Sequence, residues 1–425
     1  MNLTLTAAER RAASLAALLG NALEWFDFAV YGYVATSLGK TFYPTDRPGL
    51  QAVAAFGVFA VGYLMRPVGS LVLGPMGDLL GRRPMLSLSI LLMGSSSFLI
   101  SILPTHAQIG DLAGWLLLVL RMVQGFSVGG EFTGSMTYAT EAAPRGKEGL
   151  VSAMANAGGL LGFSLGSLTV AMLSHWLGNA AMDAWGWRLP FALGGSVAVL
   201  GLWMRRRMPE TLVLEVGACY SRQLNTIVAS IIERLRDVQQ QMPTLVRIGA
   251  LVSFANVMFY VLFVFLVDFV SHSSTSTMAE ANVITTIVQI IGLPIVLLGG
   301  LLVDRFGKLP VNRWGNLMIA GVIPIALPLA QQGGSQGLAI AQMLGVAPVM
   351  ITMGAQGVMA VELVPAKQRC TVFSISYSLA MAIFAGTAPL ICSWLLVEKG
   401  LHWGPVIYCL IFALPALWAV HYPSH

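Results

Sequence analysis

The chain has 425 residues, 56% of them hydrophobic and only 10% charged, with a mean hydropathy of +0.76. Soluble domains carry about 25% charged residues, so a soluble globular protein is excluded. Apolar runs of about 18 residues or more recur along the whole length and read as spanning helices, not as the alternating segments of a barrel.

Twelve spanning helices are expected, at roughly 15–39, 51–74, 84–104, 110–131, 149–175, 187–205, 246–271, 280–303, 311–330, 335–361, 369–396 and 401–421. Met1 to Arg11 is short and polar. The first apolar run carries Glu24 and Asp27, which a signal-peptide core would tolerate poorly, so it reads as a retained span. Within it Asn21, Glu24, Phe28 and Tyr31 share a helical face, with Asp27 at the edge. Two acids in one span must face water, be protonated or pair with a cation. Phe56, Phe59, Tyr63 and Arg66 share a face of the second span, which sets a guanidinium beside aromatic rings. In the fourth span Arg121, Gln124, Val128 and Glu131 line one face. A charge in the hydrocarbon costs about 2.5–3.5 kcal/mol on insertion scales, so a functional role is the default. The alternative is a buried arginine paired to a carboxylate for packing alone. Gly158, Gly162 and Gly166 form a small-residue stripe in the fifth span, a signal of close helix packing.

A polar stretch, 206–245, separates two halves, 1–205 and 246–425. It contains Ile227, Ile231, Leu235 and Val238 at helical spacing, and fits either a surface amphipathic helix or a solvated linker. In the second half Asn256 and Tyr260 share a face of the seventh span. Gln289, Gln356 and Tyr377 add polar groups in the eighth, tenth and eleventh, each equally readable as a helix–helix contact. Asp268 falls at the end of the seventh span. All six histidines lie in loops or at span ends. The four cysteines lack paired or metal-ligand spacing and are expected as free thiols. No hydrolase triad, metal site, nucleotide loop or cofactor motif is found, so an enzyme and an ATP-driven pump are not expected.

With both termini cytoplasmic, 18 of the 24 basic residues fall on the cytoplasmic side. That bias fixes the expected orientation in a cytoplasmic, inner membrane. It also accounts for the net charge of +5 without a nucleic-acid partner. An internal repeat is visible. Gly77-Asp78-Leu79-Leu80-Gly81-Arg82-Arg83-Pro84 recurs 226 positions later as Val303-Asp304-Arg305-Phe306-Gly307-Lys308-Leu309-Pro310. Glu141-Ala142-Ala143-Pro144 recurs 221 positions later as Glu362-Leu363-Val364-Pro365. Two related six-helix halves place a substrate site near the midplane and suit alternating access.

At these residues the sequence resembles the major facilitator superfamily. Four stretches, Gly20 to Gly32, Met65 to Gly69, Gln124 to Glu131 and Ala139 to Lys147, resemble its metabolite:proton symporters. Those carry shikimate, 2-oxoglutarate, citrate or tricarballylate, and proline or betaine. Leu79, Thr133 and Lys308-Leu309 depart from the family pattern. The lack of a long C-terminal tail argues against an osmosensing betaine carrier. The resemblance implies an all-α fold of twelve transmembrane helices in two pseudo-repeats, and a cytoplasmic latch built from Asp78, Arg82, Arg83, Glu141, Asp304, Arg305 and Glu362.

The expected function is proton-coupled import of a small organic anion. Arg66 and Arg121 would hold its carboxylate. Asn21, Tyr31, Tyr63, Gln124, Asn256, Tyr260, Gln289 and Tyr377 would complete the site, and Glu24, Asp27 or Glu131 would carry the proton. The alternatives are a zwitterion such as betaine or proline, with Glu24 and Asp27 as ligands, and an efflux antiporter. Antiporters of the superfamily tend to carry a Gly-Pro element in the fifth span; this span has no proline, so the resemblance leans towards symport. Partners are the bilayer, the substrate and protons, and a monomer is expected.

Overall fold

The computed structural model describes residues 7–44, 48–205, 238–272 and 278–421. Cys219 and most of the stretch read as an amphipathic helix, 206–237, lie outside them, as do the side chains of Phe56 and Asp268. Every regular element described is helical. In order these are α1 (Ala7–Tyr33), α2 (Ala35–Phe42), α3 (Pro48–Leu79), α4 (Arg82–Ser101), α5 (His106–Ile109), α6 (Leu112–Ala142), α7 (Glu148–Leu177), α8 (Asn179–Ala181) and α9 (Arg188–Arg205). They continue with α10 (Met242–Tyr260), α11 (Leu266–His272), α12 (Met278–Phe306), α13 (Lys308–Gln332), α14 (Gly334–Glu362), α15 (Arg369–Ala380), α16 (Ala388–Ser393), α17 (Gly404–Ile411) and α18 (Ala413–His421).

Among the described residues, nine helices are long and apolar enough to cross a membrane. The others expected to span fall short for visible reasons. Asn21, Glu24 and Asp27 lower the hydropathy of α1, and α9 is bounded by Arg188 and Arg205. The eleventh span is interrupted by wide π-type turns at Met381–Ala385 and Trp394–Glu398. A third such turn, Val261–Phe265, interrupts the seventh. Large apolar side chains such as Leu64, Val199 and Leu414 remain exposed, as suits a bilayer. The fourth span corrects the sequence reading. It does not stop at Glu131 but runs on through small and hydroxylated residues to Ala142, because Glu131 is buried inside the protein.

The described residues form two compact units. One contains residues up to Tyr138 and from Gly158 through α9; the other contains Ala139–Ala157 and everything from Gln239 onward. The first unit packs through glycine. A Cβ on Gly158 or Gly162 would meet the carbonyl of Leu18 or Ala22 in α1 at 2.1 or 2.2 Å, which explains the predicted stripe. Between α3 and α6 the approach is closer. A Cβ on Gly69 would lie 1.9 Å from the Phe126 carbonyl, and one on Gly125 2.0 Å from the Gly62 carbonyl. Backbone contact at this crossing sets Arg66 and Arg121, each a few residues away, side by side. Tyr31, Phe42, Trp187 and Phe191 belong to one buried hydrophobic cluster of the unit.

In the second unit α10 is the most enclosed span. Helices α12 and α14 touch through Gly299 and Gly354, whose added Cβ atoms would meet the carbonyls of Ile351 and Val296. The loop repeat has a structural cause. Gly81 and Gly307, at equivalent positions, precede α4 and α13 with φ of 105° and 87°, a region open mainly to glycine.

Candidate functional site

Helices α1, α3, α4 and α6 bring one charged cluster together inside the first unit. Its members Glu24, Asp27, Arg66, Arg121 and Glu131 are each no more than 3% exposed. The Arg66 guanidinium carbon lies 4.9, 4.7 and 4.6 Å from the ring centres of Trp25, Phe28 and Tyr63. That of Arg121 lies 4.8, 4.1 and 5.6 Å from Phe28, Tyr31 and Phe59. Phe28 therefore serves both cations, and such contacts strengthen when water is excluded. Tyr31 stacks on Phe59, and Phe28 meets Tyr63 edge-on.

Arg66 Nη2 lies 3.9 Å from Glu24 Oε1, beyond hydrogen-bond reach. Nε and Nη2 of both arginines have no hydrogen-bond partner among the described residues. Those two nitrogens form the edge of a guanidinium that grips a carboxylate side-on. Arg121 uses its other nitrogen, Nη1, to donate to Gln124 Oε1 at 2.8 Å. Gln124 Nε2 donates to Ser97 Oγ at 2.7 Å, and Ser97 Oγ donates to Asp27 Oδ2 at 2.5 Å. The remaining Asp27 oxygen faces α9 at Gly194, where an added Cβ would approach it to 2.1 Å. Glu24, Asp27 and Glu131 line one small cavity with Ser127 and Gly194.

Among the other predicted residues of this unit, Asn21 sits apart and accepts a hydrogen bond from Ser135 at 2.8 Å. Ser97 and Gly194 were not singled out from sequence. Ser97 lies in the run Ser95-Ser96-Ser97, whose members look alike until the fold aims one of them at Asp27.

In the second unit Tyr377 donates to Asn256 Oδ1 at 3.4 Å, and Asn256 Nδ2 donates to the Val252 carbonyl at 2.7 Å. Tyr260 meets Phe259 edge-on. The Oε1 atoms of Gln289 and Gln356 are buried without a hydrogen-bond partner among the described residues. A further polar knot joins Gln342 to Thr285 and to the Leu262 carbonyl beside the wide turn. Its only sequence signal was a lone Gln in an apolar run.

The predicted latch residues are differently partnered than the repeat suggests. Asp78 pairs with Arg82, which also donates to the Gly77 carbonyl; Arg83 beside them is half-buried. Asp304 instead accepts the backbone N–H groups of Gly149 and Leu150 at 2.7 and 2.9 Å, at the start of α7. Arg305 lies over the Phe306 ring, Lys308 pairs with Glu362, and Arg369 pairs with Glu141 at 3.4 Å.

Helices long and apolar enough to cross a membrane, bundled around a buried charge cluster, fit a polytopic membrane transporter. The sequence model described as Major Facilitator Superfamily matches residues 17–238. A glycine betaine/proline/ectoine/pipecolic acid transporter, OusA, of Dickeya dadantii is 33% identical over 415 residues, 96% of this chain and 82% of that one. A proline/betaine transporter of Escherichia coli K12 is 33% identical over 420 residues, with the same coverage. A crystal structure of a double-tryptophan mutant of XylE superposes with a TM-score of 0.78 at 19% identity, covering 97% of this chain and 94% of that one. The chain belongs to the major facilitator superfamily.

Proposed function

We propose that this carrier is a proton-coupled symporter that imports a small zwitterion of the proline and betaine class by alternating access. The observation that carries the reading is the pair of buried guanidiniums, each with the two nitrogens of its side-on edge making no hydrogen bond among the described residues and each ringed by aromatic side chains. Those edges suit a carboxylate. The rings Trp25, Phe28, Tyr63, Tyr31 and Phe59, which now receive guanidinium carbons, are surfaces of the type that recognise substituted ammonium groups.

The charge balance moves the reading away from the organic anion expected from sequence. Arg66 and Arg121 already share their cluster with Glu24, Asp27 and Glu131. A net anion would enter a site where three carboxyl groups already accompany two cations, whereas a zwitterion adds no net charge. The relatives named as proline and betaine transporters support the same choice. The cationic loops support a cytoplasmic membrane with both termini inside. In this reading Asp27, Glu24 or Glu131 takes the coupled proton.

The test is uptake into proteoliposomes with and without an imposed inward proton gradient. The panel holds glycine betaine, proline, ectoine, shikimate, 2-oxoglutarate and citrate. Gradient-driven accumulation of the zwitterions is expected. Accumulation of di- or tricarboxylates alone would restore the anion reading, and gradient-driven loss of preloaded substrate would indicate efflux.

A further inference from the structure

The hydrogen bonds that link Arg121 to Asp27 all run one way. Arg121 donates to Gln124, Gln124 to Ser97 and Ser97 to Asp27, over 2.8, 2.7 and 2.5 Å. Arg121, Gln124, Ser97 and Asp27 are all buried. A chain of donors pointed at one carboxylate polarises cooperatively, and the effect is largest where water is absent. Its head and tail face different events. The head, Arg121, makes no hydrogen bond through Nε and Nη2 among the described residues, while Nη1 is committed to Gln124. The tail, Asp27, receives the serine hydroxyl.

We propose that Ser97, through Gln124, is the positioning residue that couples substrate to proton in this carrier. A substrate carboxylate that hydrogen-bonds to Nε and Nη2 of Arg121 weakens the pull of Nη1 on Gln124, and the loss passes along the chain to Asp27. The carboxylate of Asp27 is then less well held as an anion and takes a proton from water. No bond to a heavy atom is made or broken. The proton joins Asp27, the new carboxylic O–H donates to Ser97 Oγ, and the serine hydroxyl turns to a carbonyl of the preceding turn of α4. By linkage, a protonated Asp27 favours the same carboxylate on Arg121. This deepens the symport reading above and rests on it for the substrate.

Other charged groups also face the cluster. Glu24 lies on Asp27's own helix, Arg66 on α3 and Glu131 on α6, while α9 brings the Gly194 backbone to the remaining oxygen. Their through-space effects survive loss of the hydroxyl, so a serine substitution isolates the chain.

The experiment uses the full-length carrier in detergent or lipid as wild type, Ser97→Ala and Ser97→Thr. Proton uptake on adding glycine betaine is followed with a pH indicator in weak buffer and divided by betaine bound. The infrared band of the Asp27 carboxyl, identified by its loss in Asp27→Asn, is titrated without ligand. For Ser97→Ala, proton uptake per bound betaine falls by half or more and the midpoint of the carboxyl band moves by about one pH unit. Ser97→Thr, which keeps the hydroxyl, restores both. Wild-type proton uptake and an unmoved band in Ser97→Ala would overturn the proposal. If the wild type binds no zwitterion, the substrate reading fails, and the ligand-free titration still decides on the chain. A misfolded alanine variant leaves Gln124→Leu, cut one link earlier, to be read against the same two criteria.

Discussion

A guanidinium buried to 2% exposure among three rings, with two nitrogens that make no hydrogen bond among the described residues, is tolerable only as part of a set. Arg66→Lys tests what the set needs. Lysine keeps the charge but has no planar edge for a bidentate carboxylate. A charge-assisted hydrogen bond is worth about 1.5–3 kcal/mol, so uptake affinity for betaine is expected to fall about 10- to 100-fold at unchanged protein yield. Equal affinity in the lysine variant would remove Arg66 from the site. The glycines at the α3–α6 crossing invite a second substitution. Gly125→Ala drives a methyl to 2.0 Å from the Gly62 carbonyl, so the helices must separate, at about 1–3 kcal/mol. Gly321→Ala has nothing within 4 Å and gains helix propensity of about 1 kcal/mol at most. A lower melting temperature is expected for the first and an equal or higher one for the second, read side by side by thermal unfolding in detergent.

At the scale of elements, α2 is tied to the wide turn Met182–Gly186. Lys40 Nζ and Ser37 Oγ both donate to the Asp183 carboxylate at 2.6 Å. Partial burial pushes that carboxyl up, but the two hydrogen bonds and the lysine charge outweigh it and hold it below the usual range. A depressed carboxylate stabilises the fold above its unfolded pKa of 3.8, and the contribution is lost as pH falls through the lower folded value. The pair is partly solvated, which limits it to about 1 kcal/mol. Melting curves between pH 6 and pH 3 are therefore expected to show Asp183→Asn less stable than wild type at pH 6 and converging with it in acid; a constant gap would exclude the tie. This contact also marks what the sequence could and could not disclose. Charged and aromatic faces of α1, α3 and α6 were legible because a polar residue in an apolar span breaks the pattern. Of the glycine crossings, the stripe Gly158, Gly162 and Gly166 was legible, whereas the α3–α6 contact through Gly69 and Gly125 was not, since neither helix names its partner. Ser97, Gly194 and the Asp183 tie each need two elements distant in sequence to meet, which no single span can reveal.

At the scale of the molecule, the repeat predicts that equivalent residues have equivalent partners, and the second unit shows otherwise. Arg82 and Lys308 occupy the same place in the two copies, yet Arg82 turns back to Asp78 while Lys308 pairs with Glu362. Glu141, the counterpart of Glu362, pairs with Arg369. With Lys308 engaged elsewhere, Asp304 is left to cap α7, where two N–H groups and the helix dipole favour an anion. Gly307 fixes the turn in its copy as Gly81 does in the other, so the two copies share a backbone and differ in wiring. The difference predicts a local effect. Asp304→Asn removes the charge from two hydrogen bonds worth about 1.5–3 kcal/mol each to a charged group. Hydrogen exchange at the Gly149 and Leu150 amides is then expected to accelerate tenfold or more, as followed by mass spectrometry of a peptide covering 144–152. Asp78→Asn, the symmetry-related change, is expected to leave that peptide unaltered, because Asp78 pairs with Arg82. Matching acceleration by both variants would mean that the copies act alike and that the cap on α7 does not hold Asp304 in place.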